Sequence, residues 1–189
     1  MSTYAITDSQ VLTETVDDGR PERIRRERWE WRGHTDSALV GEYTAPAEGP
    51  VRGTVVLVHG LAQNRFTWRV SARSLPAALA GHGIASVNLE LRGHGLSRGA
   101  GSGNAHGFKE YVQDIVRVVQ SLDGPVVLMG HSLGAAACIG ACTEVPVRGV
   151  VHLAGVYAFA TTNPVLRGIA RLSQRVRPLL LSRSTFGSS

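Results

Sequence analysis

The sequence predicts an α/β protein with a mostly parallel sheet, helices on both faces and an antiparallel hairpin near its N-terminus. Apolar runs of strand length alternate with segments of helical periodicity. The run from Val51 to His59 is rich in β-branched residues, as expected of a strand buried on both faces. The five residues Gly130-His131-Ser132-Leu133-Gly134 join an apolar run to an alanine-rich segment. Such a junction is typical of a sharp strand-to-helix turn in this fold class.

The individual elements follow from local pattern, in chain order. Charged residues alternate with larger ones over residues 23–32, and with the Gly-His-Thr-Asp turn that follows they predict the starting hairpin. Glycine and proline residues then separate the later apolar segments. The predicted strands are 23–32, 38–44, 51–59, 84–91, 126–129 and 148–160. The predicted helices are 67–79, 108–122 and 133–142, and the first of them is either interrupted or started by Pro76.

Length and composition indicate one domain. The chain has 189 residues, of which 43% are hydrophobic, and this is ordinary for a globular protein with a buried core. We expect a flexible N-terminal segment over residues 1–20 and a core over residues 21–160. Residues 161–189 are expected to hold the start of a lid or cap segment and a polar tail.

Charge and cysteine content narrow the function classes. The net charge is +5, and residues 145–189 contribute six Arg and no Asp or Glu. Because no basic face with interleaved aromatic residues is visible, a nucleic-acid partner is not expected. Cys138 and Cys142 are expected to be small core residues in a reducing compartment, since neither a zinc ligand set nor a disulfide framework is visible. A cytoplasmic location without secretory signal or transmembrane segment is expected.

Ser132 is the candidate catalytic residue. A serine hydroxyl at the top of a sheet requires a sharp turn, and the small residues two positions before and after it relieve the crowding. The turn also places Ser132 at a helix N-terminus, where the amide of Leu133 faces an oxyanion that forms on a carbonyl substrate. The pattern therefore predicts a nucleophile elbow.

Three motifs in order resemble those of the α/β-hydrolase superfamily, in particular lysophospholipase-like and monoacylglycerol-lipase-like serine esterases. They are residues 55–64 (VVLVHGLAQN), 91–97 (LRGHGLS) and 130–134 (GHSLG), and with their connecting elements they cover roughly residues 25–160. The resemblance implies that the backbone amides of Leu61 and Leu133 form the oxyanion hole. It assigns supporting positions in the motifs to His59, Gly60, Gly130, His131 and Gly134.

The resemblance also argues against a catalytic role for the histidines in the three motifs. It implies that His59 shapes the oxyanion loop and that His94 fixes the loop after the next strand, so neither is expected to be a base. His131 is next to the nucleophile in the turn, and its side chain is expected to point away from it. Glu90 is a departure, because similar proteins have Asp at this position. A serine at position 132, where an aspartate would be needed, argues against the haloalkane dehalogenase branch.

The catalytic acid and histidine are not identified. A serine hydroxyl needs an imidazole to take its proton and a carboxylate to orient that imidazole. After Ser132 the sequence has one carboxylate, Glu144, and one imidazole, His152. We expect Glu144 at the far end of the elbow helix and His152 within a strand, and neither matches the positions that the family uses. The chain thus resembles a hydrolase truncated after about the sixth strand.

Two expectations concern the C-terminal part. Leu166, Ile169, Leu172 and Val176 fall at helical spacing with arginines beside them, which predicts a basic helix that covers its own fold or lies over a lipid. The strand at 148–160 is expected to form a sheet edge with unpaired backbone groups, and therefore to favour self-association. A monodisperse monomer in solution would contradict that expectation.

The sequence leads to one main hypothesis and two alternatives. The main hypothesis is a serine hydrolase that cleaves a carboxylic ester or related acyl bond, including lipid-like esters, through an acyl-serine intermediate. No metal or organic cofactor is expected for this chemistry. We expect the isolated chain to be weak or inactive. The alternatives are a non-catalytic fragment or binding module and an acyltransferase of the same fold.

Overall fold

The computed structural model describes residues 4–16, 20–32, 38–70, 73–97 and 107–155. Seven strands form one large sheet, and they are β1 (Ala5–Thr15), β2 (Pro21–Arg32), β3 (Ala38–Pro46), β4 (Thr54–Val58), β7 (Ala85–Glu90), β8 (Val126–His131) and β9 (Gly149–Leu153). Their order in the sheet is β1-β2-β3-β7-β4-β8-β9. The first three strands are antiparallel to their neighbours, whereas β7, β4, β8 and β9 run parallel to one another. The predicted α/β class, the parallel strands and the N-terminal hairpin are therefore confirmed, and the described sheet is mixed, with three parallel and three antiparallel pairs of neighbouring strands.

A separate two-stranded pair is formed by β5 (Arg69–Val70) and β6 (Arg73–Ser74). The helices are α1 (Leu75–Gly81), α2 (Phe108–Gln120) and α3 (Leu133–Ala141), and a 3₁₀ turn covers Arg65–Trp68.

Strand β1 is the main departure from the predicted elements, because residues 1–20 are expected above to be flexible. Ala5–Thr15 pairs with β2 along its whole length and forms one edge of the sheet. Most of its side chains are exposed, so the strand shows no alternation of buried and exposed residues that a sequence pattern could detect. Backbone pairing and an ion pair between Glu14 and Arg26 attach it to β2.

For the predicted helix over residues 67–79, the structure has the alternative in which Pro76 starts the helix, and the described residues before the helix are not α-helical. The chain there forms the 3₁₀ turn and the short β5–β6 pair, and the helix begins only at Leu75. The hydroxyl of Ser74 accepts a hydrogen bond from the backbone N–H of Ala77 at 3.3 Å, and Pro76 occupies the first turn. A capping serine followed by a proline starts a helix, which explains the late beginning of α1.

The core has two parts on opposite faces of the sheet. The larger cluster joins α2 and α3 to the sheet and contains Trp29, Val56 and Ile115. The smaller cluster joins Ile24 of β2 to Ala77 and Ala80 of α1. Ile24 and Trp29 are an odd number of residues apart on one strand, so their side chains point to opposite faces. Helices on both faces are therefore confirmed.

Strand β9 is the other edge of the described sheet. It pairs only with β8 among the described strands, and Val151 and Leu153 are 41% and 37% exposed. Self-association through this edge stays a prediction. The predicted lid helix and the proposed cap segment lie outside the described residues. Across the described residues, none of the helices combines the length and the apolar character needed to span a membrane.

Candidate active site

Three loops meet at the carboxyl ends of β4, β7 and β8. Strand β4 lies between the other two, and Val58 at its end is paired with Leu89 of β7 and Gly130 of β8. Parallel strands end at the same sheet edge, and ligands of open α/β sheets bind at such edges. The three motifs identified in the sequence are therefore brought to one side of the molecule.

Ser132 occupies the strained bend between β8 and α3. Its backbone angles are φ 52° and ψ −115°, which a residue with a side chain adopts only at an energetic cost of about 1 to 3 kcal/mol. Its N–H donates to the carbonyl of Leu153 at 3.0 Å, and its own carbonyl accepts from the N–H of Ala135 at 3.1 Å. Neighbouring backbone on both sides therefore holds the bend, and the Ser132 side chain is half-buried.

The two motif glycines allow the bend to pack closely. A Cβ on Gly130 would lie 2.5 Å from the Cα and N atoms of Ala135 in α3. A Cβ on Gly134 would lie 2.4 Å from the carbonyl oxygen of His59 and 2.5 Å from that of Val58. These contacts involve backbone atoms, so only glycine lets α3 lie against β4 and β8 at this depth.

The loop after β4 turns sharply beside Ser132. The N–H of Gln63 donates to the carbonyl of Gly60 at 3.3 Å, and Ala62 has φ 57°, as the third residue of such a turn often requires. Leu61 is 55% exposed at the tip of the turn. Among the described residues, no group accepts a hydrogen bond from the backbone N–H of Leu61 or of Leu133. Within the described residues, neither amide is therefore committed to another protein group.

The profile of the alpha/beta hydrolase family matches residues 55–188. The chain belongs to the alpha/beta hydrolase family. A serine hydrolase-like protein of Danio rerio is 33% identical over 127 residues, which are 65% of this chain and 37% of that protein. Epoxide hydrolase B of Mycobacterium tuberculosis is 32% identical over 123 residues, which are 57% of this chain and 33% of that protein.

A solved structure agrees with this membership. The monoacylglycerol lipase of Paleococcus ferrophilus superposes with a TM-score of 0.54 at 26% identity, covering 74% of this chain and 52% of that one. This alpha/beta hydrolase chain spans about a third of the length of the two curated relatives named above. The activity and substrates of a whole hydrolase are therefore matters for proposal.

In this alpha/beta hydrolase, His59 is fully buried beneath the loop after β4. Its Nε2 accepts a hydrogen bond from the N–H of Leu91 at 3.1 Å, and its Nδ1–H donates to the carbonyl of Gly60 at 2.7 Å. These two hydrogen bonds use both ring nitrogens and fix the neutral tautomer that carries its proton on Nδ1. Burial lowers the pKa of His59 to about 4, with the nearby His94 adding to the effect. His59 therefore connects two loops of the site.

The depressed pKa of His59 predicts an acid-dependent loss of stability. The imidazole has a pKa near 6.5 in the unfolded chain and about 4 in the native fold, so the unfolded state binds more protons between these values. The free energy of unfolding should therefore fall by about 2 to 3 kcal/mol as the pH decreases from 6.5 to 4. Urea unfolding of the wild type and of His59→Gln at several pH values measures this change.

The matched control for this experiment is His82→Gln, because His82 is an exposed imidazole beyond α1. We expect His59→Gln to flatten the pH dependence between pH 6.5 and 4, and His82→Gln to leave the wild-type slope unchanged. Equal slopes in all three proteins would contradict the assignment of the effect to His59.

The other motif histidines also have structural partners. The Nδ1–H of His131 donates to the side-chain oxygen of Gln63 at 3.0 Å. The Nδ1–H of His94 donates to the carbonyl of Arg92 at 3.1 Å, and its ring lies 5.0 Å from that of His59. Within the described part of the chain, no imidazole nitrogen is hydrogen-bonded to the Ser132 hydroxyl, and no group of three potential metal ligands occurs.

Glu90 organises the loop after β7. Its fully buried carboxylate accepts from Arg65 Nη1 at 2.7 Å and from the N–H of Leu96 at 2.6 Å. Its backbone carbonyl accepts from the hydroxyl of Ser97 at 2.6 Å. Both carboxylate oxygens of Glu90, the residue that departs from the family pattern, therefore accept a hydrogen bond. It connects this loop to the 3₁₀ turn that begins at Arg65.

Glu144 and His152 lie where the sequence places them. Glu144 lies beyond the C-terminal end of α3, whose nine residues separate it from Ser132 by about 14 Å of helix, and it accepts from Gln113 Nε2 at 2.7 Å. His152 is within β9 and is paired with Gly130 of β8. Burial lowers the pKa of His152. The structure does not bring either residue together with Ser132 as a catalytic pair.

Two contributors to the site are not assigned in the sequence analysis. The carbonyl of Leu153 holds the Ser132 amide, and the side chain of Gln63 contacts both the loop after β4 and the elbow. Gln63 is visible within the motif at 55–64, but its partner His131 is 68 residues away. A backbone carbonyl has no sequence signal, so the role of Leu153 is visible only in the folded structure.

Proposed function

We propose that Ser132 is the nucleophile of a serine hydrolase that cleaves a carboxylic ester or similar acyl bond through an acyl-serine intermediate. The observation that carries the proposal is the strained backbone of Ser132, φ 52°, at the junction of β8 and α3. A non-glycine residue in this region of backbone space persists only where its surroundings enforce it, and such residues cluster at active sites. The bend exposes a hydroxyl at the sheet edge where hydrolase substrates bind.

The amides of Leu61 and Leu133 are proposed to form the oxyanion hole. Both lack an acceptor among the described groups, and both belong to turns that end neighbouring parallel strands. Two such donors stabilise the negative charge that develops on the carbonyl oxygen when serine attacks. Leu133 also begins α3, so the positive end of the helix dipole adds to this stabilisation.

The substrate is proposed to carry an apolar acyl group. Leu61, Phe66 and Leu96 are large apolar residues at this end of the sheet, and they are 55%, 50% and 46% exposed. Exposed apolar side chains near a site favour an apolar ligand. The likeness to a monoacylglycerol lipase is consistent with a lipid-like ester.

The general base that this mechanism needs is not found among the described residues. The Ser132 hydroxyl has no imidazole partner within the described segments, and a serine is a weak nucleophile without one. We therefore expect the isolated 189-residue chain to be weak or inactive. A poised hydroxyl that lacks only a base should respond to a base supplied from solution, whereas an inert binding module should not.

Labelling with an alkyl fluorophosphonate, with and without added imidazole, tests this proposal. We expect slow labelling of the chain alone, an increase of about tenfold or more with imidazole, and none in Ser132→Ala under either condition. Labelling should be followed by intact-protein mass and by peptide mapping. Ser9→Ala is the matched control, because Ser9 is an exposed serine on β1, at the edge of the sheet far from the elbow.

The outcomes separate the hypotheses. Labelling that persists in Ser132→Ala would reject Ser132 as the nucleophile. No labelling of a folded chain at any imidazole concentration would favour the non-catalytic module. Rapid labelling without imidazole would show that the protein supplies its own base, and would contradict the expected weak activity.

A further inference from the structure

The side chain of Gln63 joins the two turns of the candidate site. Its Oε1 accepts a hydrogen bond from the backbone N–H of Gly60 at 2.8 Å and another from His131 Nδ1 at 3.0 Å. Gly60 belongs to the turn that carries Leu61, and His131 precedes Ser132 in the elbow. One oxygen atom therefore bridges two segments that are 68 residues apart in sequence.

Hydrogen-bond chemistry fixes the identity of the atoms in this bridge. A backbone N–H can only donate, so the Gln63 atom that faces Gly60 must be the carbonyl oxygen. The same oxygen faces His131 Nδ1, and this nitrogen must therefore carry a proton. The bridge thus requires His131 in the form protonated at Nδ1, which gives it a spectroscopic signature.

The bridged turns are in direct contact at the nucleophile. A Cβ placed on Gly60 would lie 3.2 Å from the Cβ of Ser132 and 3.1 Å from Nδ1 of His131. A small rotation of the Gly60 turn would therefore move Leu61 relative to Ser132. The positions of the amides of Leu61 and Leu133 depend on how firmly this turn is held.

Apart from the hydrogen bond that the Gly60 carbonyl accepts from His59 Nδ1–H at 2.7 Å, the turn is weakly held. Its backbone hydrogen bond, from Gln63 N–H to the Gly60 carbonyl, is long at 3.3 Å. Ala62 has a positive φ of 57°, which is unfavourable for a residue with a side chain, and Leu61 and Ala62 are exposed. Without the side-chain oxygen, the Gly60 N–H would also lose its acceptor.

We propose that Gln63 is a positioning residue that clamps the Leu61 turn to the Ser132 elbow, so that the amides of Leu61 and Leu133 face one point. The inference rests on the proposed function and deepens it, because it identifies what aligns the oxyanion hole. Gln63 acts through backbone amides and does not itself contact the reacting carbonyl.

The test compares Gln63→Met with wild type. Methionine has similar length and volume but no acceptor of comparable strength, so the fold should be kept while the bridge is lost. We expect imidazole-supported labelling of Ser132 by the alkyl fluorophosphonate to slow about 10- to 100-fold, because outright loss of one oxyanion-hole donor costs about 100- to 1,000-fold and a displaced donor costs less. Asn64→Ala is the matched control, because Asn64 Oδ1 caps the 3₁₀ turn at Phe66 and does not touch Gly60 or His131.

Long-range ¹H–¹⁵N spectra of the histidine rings give an independent readout. At pH 8.5 the wild type and Asn64→Ala should show His131 protonated at Nδ1, and Gln63→Met should lose this preference. Gln63→Glu keeps an acceptor oxygen at the same distance from the backbone, so His131 should stay protonated at Nδ1 in this variant. The amide signals of Gly60 and Leu61 should shift in Gln63→Met while those of β2 and β3 do not.

The two readouts keep the proposals distinguishable. If wild type is never labelled, the nucleophile proposal fails, and the clamp is judged on the ring and amide spectra alone. Unchanged His131, Gly60 and Leu61 signals in Gln63→Met would overturn the clamp. Changed signals with a wild-type labelling rate would overturn its positioning role. Equal slowing in Gln63→Met and Asn64→Ala would do the same, because general loosening of the loop would then explain the effect.

Discussion

Replacing Glu90 with alanine should lower the free energy of unfolding by about 3 kcal/mol, because it removes the closer of the two carboxylates paired with the largely buried Arg65 and leaves only Glu42, whose Oε2 lies 3.9 Å from Arg65 Nε. The Glu90 carboxylate is fully buried, and Arg65 is only 18% exposed. Removing Glu90 deprives Arg65 of its 2.7 Å ion pair and the N–H of Leu96 of its 2.6 Å acceptor. Urea unfolding at neutral pH measures the loss.

The matched control is a similar ion pair on the surface. Arg23 and Glu48 are joined by the same type of contact at 2.8 Å, but their side chains are 66% and 79% exposed. Glu48→Ala should change the free energy of unfolding by less than about 1 kcal/mol, since solvent screens the pair. Similar losses in Glu90→Ala and Glu48→Ala would contradict the view that burial makes the Glu90 contact important.

Glu90 also illustrates what the sequence can and cannot predict. The motif around it shows that a carboxylate at this position is longer than the one in similar proteins. It does not show that Arg65, 25 residues earlier, extends to meet it. Pairing between distant segments leaves no local pattern, so the consequence of the longer side chain is visible only in the fold.

The elbow was predictable because its signal is local. An apolar run, two glycines that flank Ser132 at a spacing of two, and an alanine-rich segment together specify a strand, a tight bend and a helix. The structure has these elements as β8, the bend at Ser132 and α3. Strand β1 was not predictable, because nearly all its side chains are exposed and its place in the sheet depends on pairing with β2.

The oxyanion-hole amides proposed for Leu61 and Leu133 were predictable only in part. Their sequence positions follow from the family resemblance, but their alignment depends on Gln63, Gly60 and His131 meeting across the site. The strand order sets this meeting, because β4 and β8 are neighbours although β7 lies between them in sequence. Sequence motifs thus identify the parts of the site, and the sheet topology determines their contacts.

Gly134→Ala should destabilise the protein by about 3 kcal/mol and abolish the labelling of Ser132, because it separates α3 from β4. The added Cβ would lie 2.4 Å from the carbonyl oxygen of His59 and 2.5 Å from that of Val58. Neither oxygen can move without shifting the end of β4 or the loop that carries Gly60. The helix must move instead, and Ser132 moves with it. Urea unfolding and fluorophosphonate labelling measure the two effects.

Gly149→Ala separates this steric effect from a general cost of replacing glycine. A Cβ on Gly149 meets no atom within 4 Å, so the substitution in β9 should be neutral or slightly stabilising, because it restricts the unfolded chain. Labelling of Ser132 in Gly149→Ala should match the wild type. If Gly134→Ala is as stable as Gly149→Ala, the close approach of α3 to β4 is not what holds the elbow. The strain at Ser132 would then have to be maintained by its backbone hydrogen bonds with Leu153, Ala135 and Ala136.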